Sequence, residues 1–402
     1  MSNPTQMEAI DGTVTNNAGG QSYDISPEQK LMRFLILGSD KPQYYVTAAE
    51  NTLEHLDNIL KMVESGKGLD IVKTLVDVSV AARAPKQIYT FIVLAICSLS
   101  PDLELKKYAN EAVSKICRIP THLFEYLDIR ENISLKINKT TGWGKAHRRV
   151  ISNWYNSFRG GSEIDLIRTT TKYASRHDYT HRDVLRLCHS KPNSLPRKII
   201  YVYLTKGIEG ALKVSADQLS EQSPSYEIEM ASNVIQHIDA VEEAKGLEIK
   251  DEIKMCELIH NNNLVREHIP SCLLNSKMVW IELLKNMPLT ALIRSLSKIS
   301  TIGITESSEQ VQMIIDKLTN KDIIEKSKIH PLQVLVAHTT YSQGKGQKGS
   351  LSWTPNPLII EALDKTFELS FKNVVPSSKR ILNAIDVSGS MCSQCNGGSG
   401  MP

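Results

Sequence analysis

Basic side chains are concentrated in one stretch of the chain, between residues 136 and 210. This stretch carries 15 Lys and Arg residues against five Asp and Glu, whereas the whole chain has a formal net charge of only +3. Guanidinium and ammonium groups in such excess attract phosphates, so the pattern predicts an anionic partner such as a nucleic acid. The candidate contact residues are Lys145, Arg148, Arg149, Arg168, Lys172, Arg176, His181, Arg182, Arg186 and His189.

The spacing of these residues predicts that they lie on helix faces. Residues three or four positions apart share one face of an α-helix. Three successive predicted helices therefore each carry a basic face, formed by Lys145, Arg148 and Arg149, by Arg168, Lys172 and Arg176, and by Arg182, Arg186 and His189. Thr180 and Asp183 form a capping pattern that starts the third helix just before His181. If the helices stack, the faces merge into one cationic surface, with N–H groups at the third helix start as a further phosphate site.

The alternative interpretation of the same residues is a set of ordinary solvated helix faces. Such faces usually mix both signs of charge, whereas here the basic residues outnumber the acidic ones three to one and like charges repel at a spacing of four. We therefore favour the nucleic-acid hypothesis. Aromatic residues in the stretch are expected to be mostly core, with stacking on bases as the alternative. His189 is equally compatible with a ligand contact and with a structural helix cap.

A second chemical pattern lies near the end of the sequence. Asp386, Ser388 and Ser390 follow the apolar segment 381–385, which we predict to be a buried strand. One carboxylate and two hydroxyls are hard oxygen ligands of the kind that Mg²⁺ prefers, but they form only part of a site. Zinc at Cys392 and Cys395 is disfavoured because no second Cys or His pair lies nearby.

The elements that must position these residues are helices. Amphipathic segments of roughly 10 to 20 residues, separated by short turns rich in Pro and Gly, run from residue 26 to about residue 371. The first begins with a capping box at Ser26 and Gln29. Alternating strand patterns are nearly absent, so we predict an all-α solenoid of degenerate repeats. Residues 1–25 are polar and predict a disordered tail, and the apolar run 88–99 is too short to span a membrane and predicts a buried helix.

Two classes of function are disfavoured by residue usage. The seven cysteines are scattered and odd in number, which favours a reduced, intracellular setting over a disulfide framework. No Ser/His/Asp, Cys/His or paired-carboxylate pattern emerges, so we predict that the chain is not an enzyme.

The assembled motifs resemble those of the Ro ribonucleoprotein autoantigens, whose TROVE module is shared with telomerase- and vault-associated proteins. The resemblance covers most of the chain. It is carried by RFLILGSD (33–40), AVSKICRIPTHLF (112–124), GWGKAHRRVISNWYN (142–156), TKYASRHDYTHRDVLRLCHSKP (171–192), MPLTALIRSL (287–296) and GSLSWTPNPLIIEALD (349–364). KRILNAIDVSGSM (379–391) is similar to the first strand and metal loop of the family's von Willebrand factor A domain.

The resemblance implies a ring of HEAT-like helical repeats over residues 26–372, followed by an α/β von Willebrand A domain that begins in residues 373–402. It implies an outer surface that binds the stem of small non-coding Y RNAs and a central hole that accepts single-stranded ends of misfolded structured RNAs. The RNA-contacting positions of the family match Lys172, Arg176 and His189. Its metal positions match Asp386, Ser388 and Ser390.

The sequence departs from the family at its end. Later loops complete the metal site of a von Willebrand A domain, and those segments do not follow here, so we expect a chain cut off just inside that domain with a flexible Gly/Ser tail. The complete family site is expected to hold Mg²⁺ or another divalent cation. In this chain we expect that the last strand forms no sheet and that Asp386 does not hold Mg²⁺ tightly.

The predicted function is therefore non-catalytic RNA binding in RNA quality control. The expected partners are Y-type RNA and misfolded structured RNA, with no DNA and no membrane, for a monomer located in the cytoplasm or also in the nucleus. The alternative is a protein-interaction scaffold whose helical groove takes a peptide and whose Asp386 site coordinates a partner carboxylate through the metal. The concentrated positive charge favours RNA.

Overall fold

The computed structural model describes residues 11–15, 19–38, 48–218, 224–346 and 350–376, together with seven separate positions between 378 and 389. The chain divides into two compact units, residues 1–238 and 239–402. The described residues contain nineteen α-helices and four short strands, which confirms the predicted all-α class. None of the helices in this part of the chain combines the length and the apolar character that a membrane span requires.

The first unit is a succession of short helices. Helices α1 to α11 are Pro27–Leu37, Ala48–Glu64, Gly68–Val80, Ile88–Leu99, Leu103–Ile116, Pro120–Asn138, Lys145–Asn156, Glu163–Lys172, His181–Cys188, Leu195–Lys206 and Ile208–Gln218. Helix α3 packs on α5, α5 on α7, α7 on α9, and α4 on α6. Contact between a helix and the next but one is what a stacked helical-repeat array produces. The closure of such an array into a ring stays a prediction.

Local sequence signals account for the start and the burial of these helices. The predicted capping box is present at α1, where Ser26 Oγ accepts from Gln29 N and Gln29 Oε1 accepts from Ser26 N. The apolar run 88–99 forms α4, and Phe91 and Leu94 are fully buried, so the predicted buried helix is confirmed. Phe124 also lies in this core.

The N-terminal segment differs from the prediction. Strands β1 (Thr13–Thr15) and β2 (Gln21–Tyr23) pair as an antiparallel hairpin, and Thr13 Oγ1 donates to Gln21 Oε1 over 3.0 Å. The prediction of a disordered tail for residues 1–25 is therefore wrong for these strands. The β-branched residues at 13–15 favour extended backbone, which the overall polar composition of the tail conceals.

The second unit has a separate core. Helix α12 (Ser225–Lys245) contains the boundary between the units, and α13 to α19 are Glu252–Asn262, Lys277–Asn286, Leu289–Thr301, Ser308–Thr319, Lys321–Ser327, Pro331–Ser342 and Pro357–Ser370. Helices α16 and α18 each pack on α19. Trp353, in the segment that precedes α19, donates from Nε1 to Tyr341 O over 3.0 Å.

The apolar segment 381–385 is not buried at the positions that the structure describes. Ile381 and Ile385 are 69% and 81% exposed and lie outside any strand. The residue pattern's prediction of a buried strand is wrong there, whereas the expectation that the last strand forms no sheet agrees with these positions. A buried strand needs neighbouring strands, and the sheets among the described residues are two two-stranded hairpins. The positions of the predicted metal site, Asp386, Ser388 and Ser390, lie outside the described residues, so that site stays a prediction.

Candidate nucleic-acid interface

Helix α7 separates a basic face from a buried face, as predicted. Lys145, Arg148 and Arg149 are exposed on its first turns. Ile151 and Trp154 are buried on the other side, and the Trp154 indole donates to a backbone carbonyl at the end of α5. Because the buried face fixes the rotation of the helix, its three cations are held toward solvent.

Helix α9 begins with the predicted capping box. Thr180 Oγ1 accepts from Asp183 N over 3.2 Å, and Asp183 Oδ2 accepts from Thr180 N over 3.1 Å. Arg182 and Arg186 are exposed. His189 ends the helix in the left-handed conformation with φ 51°, and its ring is exposed. His189 therefore terminates the helix with its backbone, while its side chain is accessible and its role as a ligand contact stays a prediction.

The second predicted basic helix is shorter than its spacing suggested. Helix α8 ends at Lys172, and Arg176 lies instead in strand β3 (Ser175–Arg176), which pairs with β4 (Tyr179–Thr180). His177 and Asp178, between the strands, have φ values of 49° and 60°. Positive φ at both central residues is the type I′ geometry that suits a two-residue hairpin. The prediction that Arg176 shares a helix face with Lys172 is wrong because this turn competes with the helix.

The other two cations of α8 are less accessible than those of α7. Arg168 is partly exposed and its Nε is buried without a hydrogen-bond partner among the described residues. Lys172 is also partly exposed, with Nζ 5.0 Å from the ring centroid of Tyr173. Arg168 therefore fits the interface less well than Lys172, which lies at the end of α8 nearest the hairpin.

His181 is a core residue and not a surface contact. It is only 2% exposed, Nε2 lies 3.0 Å from Tyr173 O, and Nδ1 lies 2.8 Å from Tyr155 Oη. A carbonyl oxygen only accepts, so Nε2 carries the hydrogen and Nδ1 accepts from the tyrosine hydroxyl. Burial lowers the pKa of His181 to about 4, which keeps the ring neutral at pH 7. The prediction of His181 as an RNA contact is wrong: it joins α7, the end of α8 and α9.

Several contacts place the remaining cations on adjoining elements. Helices α7 and α9 pack together, and the Oγ atoms of Ser152 in α7 and Ser190, which follows α9, are 2.8 Å apart. Arg148 of α7 lines one cavity of about 580 Å³ together with the turn of the hairpin and Leu187 of α9. We define the basic surface as Lys145, Arg148, Arg149, Lys172, Arg176, Arg182, Arg186 and His189.

Most cations of the basic surface have no carboxylate partner among the described residues. The ion pairs near this stretch instead involve Arg159, His177 and Arg197. Six residues of the basic surface have no ion pair within the part of the chain that the structure describes: Lys145, Arg148, Arg149, Arg176, Arg182 and Arg186. Their charge is therefore available to an external anion.

The sequence did not reveal the acidic residues of the same cavity. Asp128 and Glu131 of α6 line it beside Asp178, and Trp143 Nε1 donates to Glu131 Oε1 over 2.6 Å. Burial and a hydrogen bond with Glu131 raise the pKa of Tyr179. Carboxylates accept from base amino groups, so this cavity can contact an unpaired base while the cations hold the backbone. The spacing of three between the α6 acids was the only signal in the sequence.

The described residues offer no second candidate metal centre. Nowhere in these ranges are three or more His, Cys, Asp or Glu side chains arranged to hold a metal ion. The chemistry available at the interface is therefore that of cations, carboxylates and aromatic rings.

Comparison with known proteins gives consistent similarities. Residues 14–265 and 261–340 match the family model of the TROVE domain. The chain is 33% identical to the RNA-binding protein RO60 of Caenorhabditis elegans, over 97% of this chain and 68% of the relative. It is 30% identical to the RNA-binding protein RO60 of Deinococcus radiodurans, over 100% of this chain and 70% of the relative.

A solved structure is also similar. The crystal structure of the Deinococcus radiodurans RO (RSR) protein matches with a TM-score of 0.66 and 26% identity, over 88% of this chain and 66% of that one. The chain thus spans about two thirds of the length of the relatives it matches, with 68%, 70% and 66% coverage.

Proposed function

The chain belongs to the Ro family of TROVE-domain proteins, and from this premise we propose that it is a non-catalytic RNA-binding protein whose basic surface holds a structured RNA. The observation that carries the proposal is the group of exposed cations on α7, the hairpin and α9 that have no ion pair among the described residues. The two relatives named as RNA-binding proteins support it.

The geometry favours recognition of RNA shape. Arg182 and Arg186 lie on a helix whose start is fixed by the capping box and by the buried His181. A guanidinium group that is held in a fixed orientation donates two parallel hydrogen bonds to one phosphate. This adds geometric selectivity to the attraction between charges. Because contacts with phosphates carry no base sequence, discrimination comes from the fold of the RNA and from its exposed bases.

The cavity of about 580 Å³ beside the basic surface, which Asp128, Glu131 and Asp178 line, restricts the choice of RNA further. Asp128 and Asp178 repel phosphates but accept hydrogen bonds from base amino groups. An RNA with a bulge or loop next to a helical stem meets both requirements, whereas a plain duplex has no unpaired base to offer. The resemblance to the Ro family implies small non-coding Y-type RNAs and misfolded structured RNAs as partners, and we propose these partners here, with a role in RNA quality control.

The test is a binding titration with a bulged hairpin RNA and a plain duplex of equal length at several salt concentrations. The variant carries Lys172→Ala, Arg176→Ala and His189→Ala. We expect preference for the hairpin, steep loss of affinity with salt, and at least about tenfold weaker binding by the variant.

The matched control carries Lys245→Ala, Lys254→Ala and Lys285→Ala, which remove paired lysines of α12, α13 and α14. We expect this control to bind within about twofold of the parent protein, because these charges are already neutralised locally. Equal losses in both variants would contradict the proposal. So would failure of either RNA to bind at low salt in a sample that melts cooperatively.

A further inference from the structure

A second cavity in the first unit has a different chemical character from the basic surface. It has a volume of about 510 Å³ and lies where the ends of α3, α5 and α7 meet the start of α6. Three cations line it, Lys115, Arg118 and Arg159, and none of its described lining residues is Asp or Glu. The cavity shares no residue with the basic surface.

The three cations around the cavity differ in the contacts that they make with the rest of the protein. Arg118 Nη1 donates to Ser79 O over 2.8 Å and to Ser79 Oγ over 3.1 Å, which fixes its partly buried guanidinium group. Lys115 is exposed and, in the described part of the chain, has no ion pair. Arg159 has only a 4.0 Å contact with Asp165 Oδ1, so most of the positive charge around the cavity is not compensated.

The backbone at Arg159 is also unusual. This residue has φ 46° and ψ 52°, left-handed values that are rare for a side chain of its size. Such a conformation is retained where the surrounding structure requires it. Here the turn leaves the Arg159 guanidinium 5.5 Å from the ring centroid of Phe158, at the cavity lining.

The cavity has an aromatic wall next to its cations. The rings of Trp154 and Phe158 lie 4.8 Å apart, and both residues line the cavity. His122 lines it as well, and its Nδ1 is buried without a hydrogen-bond partner among the described residues. Cavities of roughly 300 to 1,000 Å³ with apolar walls and a few convergent polar groups are typical of small-molecule sites.

We propose that this cavity binds the terminal phosphomonoester of a nucleotide. The phosphate is held by Lys115, Arg118 and Arg159, and the nucleoside lies against the aromatic wall. A phosphomonoester is favoured over a phosphodiester because the monoester carries nearly two negative charges. Two negative charges balance the three cations better than the single charge of a diester does. The nucleotide is either free or the phosphorylated end of an RNA, and the site acts independently of the basic surface.

The test measures binding of adenosine monophosphate and of adenosine to the full chain by calorimetry. We expect adenosine monophosphate to bind at least about tenfold more tightly, because only it carries the phosphate. The double variant Lys115→Gln/Arg159→Gln should lose that difference. Both side chains are exposed, so the variant is expected to keep its melting temperature. Lys107→Gln, an exposed residue of the same helix outside the cavity, is the matched control and should bind like the parent.

Short RNAs with a phosphate at the 5′ end, at the 3′ end or at neither end distinguish the two sources. Tighter binding of a phosphorylated RNA than of adenosine monophosphate assigns the site to RNA ends, and the reverse assigns it to free nucleotides. Equal or absent binding of adenosine and its monophosphate would overturn the proposal, as would full retention by the double variant. Hairpin binding by the same samples reports separately on the basic surface.

Discussion

The basic surface and several exposed lysines of the second unit differ in what surrounds them. In the second unit, Lys245 Nζ lies 2.6 Å from Glu242 Oε1 and Lys285 Nζ lies 2.6 Å from Glu282 Oε2. Residues 239–402 contain 18 basic and 18 acidic residues, so the charges of this part of the chain are balanced. In the basic surface, six of the eight residues have no such partner among the described residues. The number of lysines and arginines on a helix is therefore a weaker sign of function than the absence of their counter-charges.

This difference has a physical consequence for stability. A paired surface lysine contributes a few tenths of a kcal/mol, whereas neighbouring like charges on a helix destabilise by similar amounts. In the absence of a bound anion, the basic surface therefore lowers the free energy of unfolding slightly. An RNA reverses the sign of that contribution, because each bound phosphate releases counterions and relieves the repulsion.

The largest expected effect comes from reversing charge at the basic surface. Arg182→Glu/Arg186→Glu places carboxylates where phosphates should bind, so we expect hairpin affinity to fall at least about 100-fold. The slope of log affinity against log salt concentration should decrease by the amount that roughly two phosphate contacts contribute. The measurement is a salt-dependent titration. Lys245→Glu/Lys285→Glu changes the net charge equally and should alter affinity less than about threefold. Equal losses would mean that net charge, and not its location, controls binding.

The next effect concerns the buried histidines that lie under the first unit's surface. Burial lowers the pKa of His181 from 6.5 to about 4, and burial together with Arg118 lowers that of His122 to about 4. The folded state therefore favours the neutral rings. Their contribution is fully present above pH 6.5 and is lost as the pH falls through 4, at roughly 3 kcal/mol for each histidine.

Chemical denaturation at several pH values checks this expectation. Stability should decrease between pH 6.5 and pH 4, and His181→Phe should make the decrease shallower because one titrating group is removed. Hydrogen exchange resolved by peptide should locate the loss in the first unit. An unchanged slope in the variant would show that His181 does not titrate as its burial requires.

The sequence predicted elements better than it predicted partners. Helix starts followed from local signals, and both capping boxes, at Ser26 and at Thr180, are present. The placement of Arg176 failed because a spacing of four fits a helix and does not reveal a competing turn at residues 177 and 178. Periodicity cannot show which groups a side chain contacts in the folded protein. For His181 these contacts, with Tyr155 and Tyr173, determine its role.

The sequence also could not show which hydrogen bonds charged side chains make with other segments. Glu131 and Trp143 meet in space across a turn, and Arg118 reaches Ser79 from 39 positions along the chain. These contacts depend on how helices stack. The charge excess of residues 136–210 was visible in composition, but the distinction between paired and unpaired cations required the structure.

A smaller expected effect distinguishes the core residue His181 from the proposed RNA contact His189, at the start and the end of α9. His181→Phe preserves the ring but leaves Tyr155 Oη and Tyr173 O without their partner, so we expect a loss of about 2 to 3 kcal/mol in the free energy of unfolding. His189→Ala is the matched change at an exposed position, and it should lower RNA affinity with less than about 0.5 kcal/mol of destabilisation. Denaturant titration and RNA titration of both variants measure this. Wild-type stability in His181→Phe would contradict the assignment of His181 to the core.

The smallest expected effects come from two single substitutions that each remove one positive charge. Lys285→Gln breaks the pair with Glu282, so the free energy of unfolding should fall by about 0.5 kcal/mol and hairpin affinity should change less than about twofold. Arg186→Gln relieves repulsion from Arg182, so stability should rise by a few tenths of a kcal/mol while affinity falls about tenfold. Denaturation and binding curves for both proteins measure these four changes, and the two changes in the free energy of unfolding should have opposite signs. If Arg186→Gln instead destabilised the protein, Arg186 would have a counter-charge in solution, and the basic surface would be only another solvated helix face.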